Sequence, residues 1–402
     1  MNYDVAIVGG GMTGATLACA LAKAGLRVAV VEASEPPPPP DDAWELRVSA
    51  ISRASEGVLR AIDVWDGLAV ERIGVFREMH VWDATGSGSV HFDSADIGSD
   101  ALGHIVENMA IQRGLNARMA SLDTLELYRP EVLQDFQVES DRVTLRLGGT
   151  RLHARLVVAA DGSRSRVREL AGIHCDTGDY GQQAVVATVR TELWHRETAW
   201  QRFLPDGPLA FLPLPGDLCS IVWSTLPEHA QSLLAASDEH FAAAVEKAFE
   251  SRLGGLESVA GRGAFPLRHL HARTYVAERV ALVGDAAHTL HPLAGQGANL
   301  GLQDAAALAQ TLYANWLRGR DLGRRANLRP YERWRKGRNQ LMQQGLSGFQ
   351  WLFGSRLEPL RLARNIGLSV VDGSPPLKRL FMRYASGFGG ERPRMAEPRP
   401  WP

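Results

Sequence analysis

The sequence predicts an α/β fold in which a parallel sheet is joined to a second, β-rich domain and to C-terminal helices. Three apolar runs, at residues 3–8, 156–160 and 280–283, have the length and composition of buried parallel strands. Each run ends in a turn that carries Gly or Asp, and a helical pattern follows it directly or after a loop. Strand-like segments then concentrate between residues 183 and 272, which indicates two interleaved domains.

The first apolar run leads into a glycine-rich turn. Gly9, Gly11 and Gly14 form the pattern G-x-G-x-x-G, and residues 15–24 are rich in Ala and Leu, as expected of a helix. In a nucleotide-binding βαβ unit the first glycine permits a tight turn, the second lets the backbone approach a pyrophosphate, and the third lets helix and strand pack closely. The turn therefore predicts a dinucleotide site, and the alternative is a glycine-rich turn in an ordinary α/β protein.

A second apolar run, residues 27–31, ends at Glu32, which lies 18 residues beyond Gly14. An acid at this position can bind a ribose hydroxyl, and it disfavours a 2′-phosphate. FAD or NAD is therefore expected in this site rather than NADP.

The central motif is Asp161-Gly162, which follows the second strand and precedes a run of Ser and Arg residues at 163–168. This pattern suits a turn near a bound cofactor. The alternative is a strand followed by a capped helix, with the arginines on a solvated surface. Both interpretations stay open at this point.

The C-terminal motif is Gly284-Asp285, and a Pro- and Gly-rich loop connects it to a helix that is expected from about Gly297. Asp285 can accept hydrogen bonds from sugar hydroxyls. A helix start presents unpaired N–H groups and positive dipole charge, here from Gly297, Ala298 and Asn299, so it suits a ligand that becomes anionic. A reduced flavin ring is such a ligand.

Composition excludes several classes of function. A chain of 402 residues with 45% hydrophobic residues can hold two domains, and a net charge of −1 implies no nucleic-acid partner. Cys19, Cys175 and Cys219 show neither metal-ligand spacing nor a disulfide framework, so we expect no metal site and a reducing cytoplasm. Glycines interrupt the uncharged residues 5–22, and neither a signal peptide nor a membrane span is expected there.

The expected domains are discontinuous in sequence. We expect strands at residues 79–82, 184–191, 209–214 and 218–223, and a helix at 238–250. The domain assignment is a nucleotide-binding domain of residues 1–74, 99–182 and 273–344, a β-rich substrate domain of residues 75–98 and 183–272, and a C-terminal helical segment of residues 345–390.

Residues 345–388 combine many apolar side chains with few acids. The basic side chains of this segment are Arg356, Arg361, Arg364, Lys378, Arg379 and Arg383. A basic amphipathic segment suits a membrane surface or a partner protein, and the alternative is a pair of helices packed on the body.

The three motifs in this order resemble the single-component FAD-dependent aromatic hydroxylases, whose type fold is that of para-hydroxybenzoate hydroxylase. The chain resembles most closely the ubiquinone-biosynthesis hydroxylases, and within them those acting on 2-polyprenylphenols. The segments that carry this likeness are residues 46–51, 103–108, 209–214, 218–224 and 284–297. The resemblance implies a Rossmann-like FAD domain interleaved with a β-sheet substrate domain.

The resemblance also implies the reaction and its participants. A polyprenylated phenol would be hydroxylated with O2 through reduced FAD and a C4a-hydroperoxyflavin, and NADPH or NADH would be the transient reductant. Other quinone-biosynthesis proteins are expected as partners. The expected location is the cytoplasm, with residues 345–388 in contact with the inner face of the cytoplasmic membrane.

Further site residues follow from the resemblance alone. Arg47 and Gln112 match positions that contact the flavin phosphates or ribityl chain in relatives. Pro292 matches a loop proline beside the reacting carbon, where its missing N–H favours a dry pocket. His291 is a candidate base, although a histidine in such a loop is more often structural, and His288 is a weaker candidate.

Two alternatives remain open at this stage. A reductase or an epoxidase of the same fold would bind FAD in the same way but act on another lipid. A flavin-binding subunit that only scaffolds a quinone-biosynthesis complex would keep the motifs without chemistry.

Overall fold

A computed structural model describes residues 2–39, 43–290, 297–354, 357–397 and 400–402. Pro292 and His291, both expected in the active site, and Arg356 lie outside the described residues.

Strands and helices are numbered in chain order. The strands are β1 Asn2–Val8, β2 Val28–Val31, β3 Val48–Ser52, β4 Gly74–Phe76, β5 Glu78–Asp83, β6 Ser89–Asp93, β7 Gly103–Glu107, β8 Leu125–Tyr128, β9 Asp135–Val138, β10 Val143–Arg146, β11 Arg151–Ala159, β12 Cys175–Thr191, β13 Thr198–Leu204, β14 Gly207–Pro213, β15 Leu218–Thr225, β16 Leu256–Ala272, β17 Val276–Ala277, β18 Val280–Leu282 and β19 His288–Thr289. The helices are α1 Met12–Lys23, α2 Arg53–Ala61, α3 Asn108–Ala120, α4 Arg166–Leu170, α5 Pro227–Ala235, α6 Asp238–Phe249, α7 Gly297–Leu317, α8 Arg325–Gly354, α9 Glu358–Asp372 and α10 Pro375–Ala385.

The first sheet has the strand order β17-β18-β11-β1-β2-β8, and β9 and β10 extend it beside β11. Strands β18, β11, β1, β2 and β8 pair in parallel with one another, whereas β17 and β10 add to them antiparallel. The central strands are almost entirely buried, because α1 and the helices packed beside it, α3 and α7, cover a face of the sheet. The predicted Rossmann-like α/β fold is confirmed, and so are the strands and helix around the glycine-rich turn.

The second sheet has the order β19-β16-β12-β15-β14-β13-β5-β6 and is mostly antiparallel. Phe241, Val245 and Phe249 of α6 pack with Leu233 of α5 against one of its faces. The expected strands at residues 79–82, 184–191, 209–214 and 218–223 and the expected helix at 238–250 are confirmed.

A third sheet, β3-β7-β4, packs with the other face of the second sheet, so that an apolar layer joins the two. Strand β12 extends through residue 183, where a domain boundary was expected, and α8 continues through residue 345 to Gly354. The long strands β12 and β16 pair along nearly their whole length and therefore run continuously between the two parts of the molecule.

The C-terminal helices rest on the second sheet through a buried ion pair. Arg364 of α9 donates from Nε to Oδ2 of Asp83 at 2.6 Å, and both side chains are at most 2% exposed. Its guanidinium also donates to the carbonyl of Phe353 at 2.9 Å. Asn365 accepts a hydrogen bond from the N–H of Gly88 in the β5–β6 turn at 2.6 Å. The expectation that Arg364 belongs to an exposed basic face is wrong, because its charge is paired inside the protein.

Replacing Asp83 with alanine is expected to loosen α9 without unfolding the first sheet. The change removes the only carboxylate among the described residues that pairs with the buried Arg364 charge, which is strongly unfavourable. We expect limited proteolysis within residues 358–372 to become at least about tenfold faster. This corresponds to a decrease of ~1.4 kcal/mol in the free energy of local opening. Asp206→Ala, at the exposed β13–β14 turn, serves as the control, and equal cleavage of the two variants would contradict the tether.

None of the helices in the described part of the chain is both long and apolar enough to span a membrane.

Candidate active site

The three sequence motifs meet at one edge of the first sheet. Strands β1, β11 and β18 run parallel, so their carboxyl ends place Gly9, Asp161 and Gly284 along the same edge. Ligands of open α/β sheets bind outside the carboxyl ends of the strands. This edge is therefore where a cofactor is expected.

The glycine-rich turn has the geometry that the pattern predicts. Gly9 has a φ of +102°, and a Cβ there would lie 2.3 Å from the carbonyl oxygen of Ala160. A Cβ on Gly14 would lie 2.0 Å from the carbonyl oxygen of Gly9. At Gly11, by contrast, a Cβ would meet none of the described atoms within 4 Å. Gly9 and Gly14 thus allow close packing within the protein, whereas Gly11 leaves open space in front of the backbone.

Glu32 and Gln112 hold this turn from two sides. The carboxylate of Glu32 accepts hydrogen bonds from the N–H groups of Gly10 at 2.6 Å and Ser34 at 2.7 Å. The side-chain amide of Gln112 donates to the carbonyl of Gly10 at 2.7 Å. In the structure both side chains contact the backbone of the turn, and their contact with a cofactor stays a prediction.

The Gly284 turn and the start of α7 approach the same helix. A Cβ on Gly284 would lie 2.9 Å from the hydroxyl of Thr13, and a Cβ on Gly301 only 2.4 Å from it. Gly284 itself has a φ of +57°. Only small residues allow α1, this turn and α7 to come so close. Thr13 and Gly301, which make this approach, were not predicted from the sequence.

A large cavity of about 1120 Å³ opens in front of these elements. The predicted residues that line it are Gly11, Arg47, Asp285, Gly297 and Ala298. Strands β12, β15 and β16 of the second sheet form part of its wall. The cavity is of the size that proteins use for ligands of many heavy atoms, and it runs from the glycine-rich turn to the start of α7.

Asp285 borders the cavity and has no hydrogen-bond partner among the described residues, so its carboxylate is available to a ligand. Surrounding protein raises the pKa of its carboxyl by burial, and His288 and Arg47 act in the opposite direction. Arg47 is exposed towards the cavity, where its guanidinium lies 5.1 Å from the ring of Phe265.

Asp161 has a different environment from the other predicted residues. Its Oδ2 accepts hydrogen bonds from the N–H groups of Arg166 at 2.7 Å and Val167 at 3.1 Å, at the start of α4. The neighbouring Gly162 lines the cavity, but Asp161 does not. In the described structure Asp161 thus binds the first N–H groups of α4, as the alternative of a capped helix predicts. The other part of that alternative, arginines on a solvated surface, is wrong for Arg168, which is buried and donates to the carbonyl of Ala286 at 2.9 Å.

Asn299 connects α7 to the third sheet. Its side chain accepts a hydrogen bond from the N–H of Ser52 at 2.9 Å and donates to the carbonyl of Ala50 at 2.7 Å. The amide oxygen and the amide nitrogen each make one hydrogen bond in this tether, which fixes the side chain, and the backbone N–H of Asn299 lies in the first turn of α7.

A buried charge network lies behind the Gly284 turn. Asp304 of α7 is fully buried and accepts hydrogen bonds from Nε of Arg335 at 2.6 Å and from Asn339 at 3.1 Å. It also accepts from the N–H of Gly284 at 3.2 Å and pairs with Nε2 of His288. Burial raises the pKa of Asp304, but the charges of His288 and Arg335 outweigh burial and hold it well below its usual range.

This network was not predicted, and it gives His288 a structural place. A single acid inside the apolar run of residues 297–317 was the available signal, because an unpaired carboxylate is not tolerated in a buried helix face. Since His288 pairs with a buried carboxylate and stacks on Tyr275 with ring centroids 6.0 Å apart, it faces the protein interior rather than a substrate.

A second, smaller cavity of about 210 Å³ adjoins the first. Leu212 of β14 borders both cavities, and Asn299 lines the small cavity directly beside Ala298, which lines the large one. Apolar side chains from the second and third sheets form most of its wall, and Phe381 and Met382 of α10 close it.

The residues of the large cavity fit a flavin dinucleotide. Open space at Gly11 leaves room for a pyrophosphate at the start of α1, and the carboxylate of Asp285, unpaired among the described residues, can accept hydrogen bonds from hydroxyl groups. The start of α7 stands at the other end, where the small apolar cavity begins. Fold and cavity together define an FAD-binding enzyme of the flavin hydroxylase type.

Comparison with known proteins identifies the family. Residues 2–345 match the family model described as FAD binding domain. The chain is 41% identical to ubiquinone hydroxylase UbiL of Rhodospirillum rubrum, over 98% of this chain and 92% of that protein. It is 39% identical to 3-demethoxyubiquinol 3-hydroxylase of Escherichia coli, over 96% of this chain and 98% of that protein. The chain belongs to the family of FAD-dependent ubiquinone-biosynthesis hydroxylases, as the motifs predicted.

Solved structures agree with the fold. The crystal structure of p-nitrophenol 4-monooxygenase PnpA from Pseudomonas putida superposes with a TM-score of 0.78 and covers 97% of this chain and 99% of that chain. At 20% identity this likeness shows the fold alone. The finer resemblance to hydroxylases of 2-polyprenylphenols stays a prediction.

Proposed function

We propose that this protein hydroxylates the aromatic ring of a polyprenylated phenol in ubiquinone biosynthesis, with FAD, O2 and NADPH or NADH. The observation that carries the proposal is the junction of the two cavities. A dinucleotide-sized cavity ends where an apolar cavity begins, at Leu212 and the first residues of α7. The names of the relatives, ubiquinone hydroxylase and 3-demethoxyubiquinol 3-hydroxylase, support this substrate class.

Each part of the cofactor has a matching group in this arrangement. The ADP half would lie on the turn formed by Gly9, Gly11 and Gly14, beside Glu32. Arg47 and Asp285 would contact the phosphates or the ribityl chain. Backbone N–H groups of Gly297, Ala298 and Asn299 would face the pyrimidine edge of the ring. Gln112 and Asp161 would act indirectly, by holding the turns in place.

Bound FAD would supply hydride acceptance and O2 activation, and the chain supplies orientation and the exclusion of water. The small cavity suits a substituted phenol ring, because it is apolar and closed by α10. Pro292 and His291 keep their proposed roles, as a wall of the reaction site and a candidate base, from the family resemblance alone.

The test is aerobic turnover of the purified, FAD-loaded protein with NADPH and a short-chain 2-prenylphenol. We expect NADPH consumption to rise on addition of the phenol, together with a product that carries one additional ring hydroxyl. NADPH consumption with unchanged phenol and stoichiometric peroxide would contradict the proposed substrate.

The outer face of the C-terminal helices supports contact with an anionic membrane surface. Leu362, Ile366 and Val370 form a stripe on α9, and each is more than half exposed. On α10, Leu380 is 50% exposed, and Arg379 and Arg383 have no acidic partner among the described residues. An apolar stripe with unpaired basic charge is typical of helices that lie in the lipid interface. Phe381 is 41% exposed and also lines the small cavity, so α10 separates that cavity from this face.

Membrane contact is tested by sedimentation with vesicles. The wild-type protein is expected to sediment with vesicles that contain phosphatidylglycerol, and less with pure phosphatidylcholine vesicles or at high salt. A double variant, Ile366→Asp with Leu380→Asp, is expected to lose at least about tenfold in vesicle affinity, since burial of the two side chains contributes ~1.5–3 kcal/mol each. Val70→Asp, at an exposed valine elsewhere, is the control. Equal binding by wild type and double variant would contradict the proposal.

A further inference from the structure

The small apolar cavity contains an unpaired side-chain amide. Gln201 lines the cavity and is only 8% exposed. Its side chain has no hydrogen-bond partner within the described part of the chain. Its backbone, by contrast, belongs to β13, which pairs with β14. Leaving an amide unpaired in apolar surroundings costs about 1–3 kcal/mol, so such a group in a native protein calls for a partner.

The sheet directs this amide into the cavity. Gln201 lies in β13 between Val81 of β5 and Ala210 of β14. Ala199, two residues earlier, and Ala210 also line the cavity and share one face of the sheet with Gln201. Trp200 borders the cavity too, but its side chain packs against the core on the opposite face. Arg202, the next residue, points to the opposite face and donates to the carbonyl of Ala248 at 2.6 Å.

Other polar groups at the cavity are less suited to bind a ligand. The amide of Asn299 is engaged with Ala50 and Ser52, and the Ser52 hydroxyl contacts Ser55. The hydroxyl of Ser386 also has no partner among the described residues, but it stands on the α10 side and offers a single short group. Gln201 offers both a donor and an acceptor from the sheet that forms the rigid wall.

We propose that Gln201 hydrogen-bonds an oxygen substituent of the substrate ring and thereby determines which ring carbon faces the flavin. The inference rests on the proposed function, because it takes the small cavity as the site of the phenol ring. The amide oxygen can accept from a phenolic hydroxyl, and the amide nitrogen can donate to a hydroxyl or methoxy oxygen. A ring held at one oxygen and packed against apolar walls has one orientation, so Gln201 is a specificity residue for the hydroxylation.

The test compares two ligands that differ in one hydroxyl group, 2-prenylphenol and prenylbenzene. Binding to the oxidised holoprotein is followed by the change in the flavin absorption spectrum. The wild type is expected to prefer the phenol, and Gln201→Leu is expected to lose about tenfold of that preference while prenylbenzene binds as before, as one hydrogen bond predicts. A shift in the ring position of the product is expected to accompany this loss.

Matched variants separate the possible outcomes. Gln137→Leu, at an exposed glutamine of β9, should keep the full preference. If Gln201→Leu keeps it as well, or if Ser386→Ala removes it instead, Gln201 does not have this role. Should Gln201→Leu fail to retain flavin, Gln201→Met keeps the length of the side chain without its amide, and it must weaken the phenol selectively. A wild type that binds neither ligand would overturn the proposed substrate class itself.

Discussion

Replacing Gly11 with alanine is expected to lower the affinity for FAD by at least about a hundredfold, or ~3 kcal/mol, and to leave the fold intact. Gly11 has φ −65° and ψ 178°, a conformation that alanine adopts without strain. The added Cβ would meet no atom of the described residues within 4 Å, so we expect it to disturb what binds in the open space and not the packing of the fold. Because Gly11 precedes α1, the stability cost should stay below about 1 kcal/mol.

This prediction separates a cofactor site from a glycine turn with a structural role. FAD affinity is measured by titration of the apoprotein with flavin fluorescence as the signal, and stability by thermal melting of the same apoprotein. Gly67→Ala is the matched control, because a Cβ there also meets nothing within 4 Å but lies outside the cavity. Tight FAD binding by Gly11→Ala would show that the pyrophosphate does not lie at this turn.

Replacing Asp304 with alanine is expected to destabilise the protein by about 3–5 kcal/mol, because Arg335 would remain buried without its partner. Arg335 is 1% exposed and Asp304 is fully buried, so water cannot compensate for the lost charge. The N–H of Gly284 would also lose its acceptor, which should loosen the turn that carries Asp285. We therefore expect weaker FAD binding together with a lower urea midpoint of unfolding.

A double variant distinguishes the charge pair from simple packing. Asp304→Leu with Arg335→Met removes both charges and should recover a substantial part of the stability lost in the single variants. Asp321→Ala is the control. Asp321 pairs with Arg279 in a similar geometry, but the Asp321 side chain is 38% exposed. Equal unfolding midpoints for Asp304→Ala and the wild type would contradict the importance of the network.

Local features of the fold were predictable because their signals are contiguous in sequence. Strand β1, the glycine-rich turn, α1 and β2 lie within the first 31 residues, and a strand buried on both faces reads as an uninterrupted apolar run. The antiparallel strands β14 and β15 were predictable for the same reason. The expected boundary at residue 183 lies inside β12, since composition does not reveal where a long strand passes from one domain to the next.

Contacts between distant residues were not predictable from one sequence. Asp83 and Arg364 are 281 residues apart, and each is an ordinary surface residue by type. Gln201 sits in a strand whose alternation shows a face but not what that face borders. The motif residues at the cavity were found because a flavin site needs glycine and acid at fixed spacing, whereas Asp304 and Asn299 act through partners that only the folded chain provides.

The most direct test of the account is the origin of the oxygen in the product. Purified holoprotein is incubated with NADPH, a 2-prenylphenol and isotope-labelled O2, and the product is analysed by mass spectrometry. Hydroxylation by this protein predicts a ring-hydroxylated phenol with one labelled oxygen atom. The label excludes a reductase, and its position in a ring hydroxyl rather than a tail epoxide excludes an epoxidase. A product without label, or no product while FAD remains bound and reducible, would contradict hydroxylation and favour a reductase or a scaffold subunit.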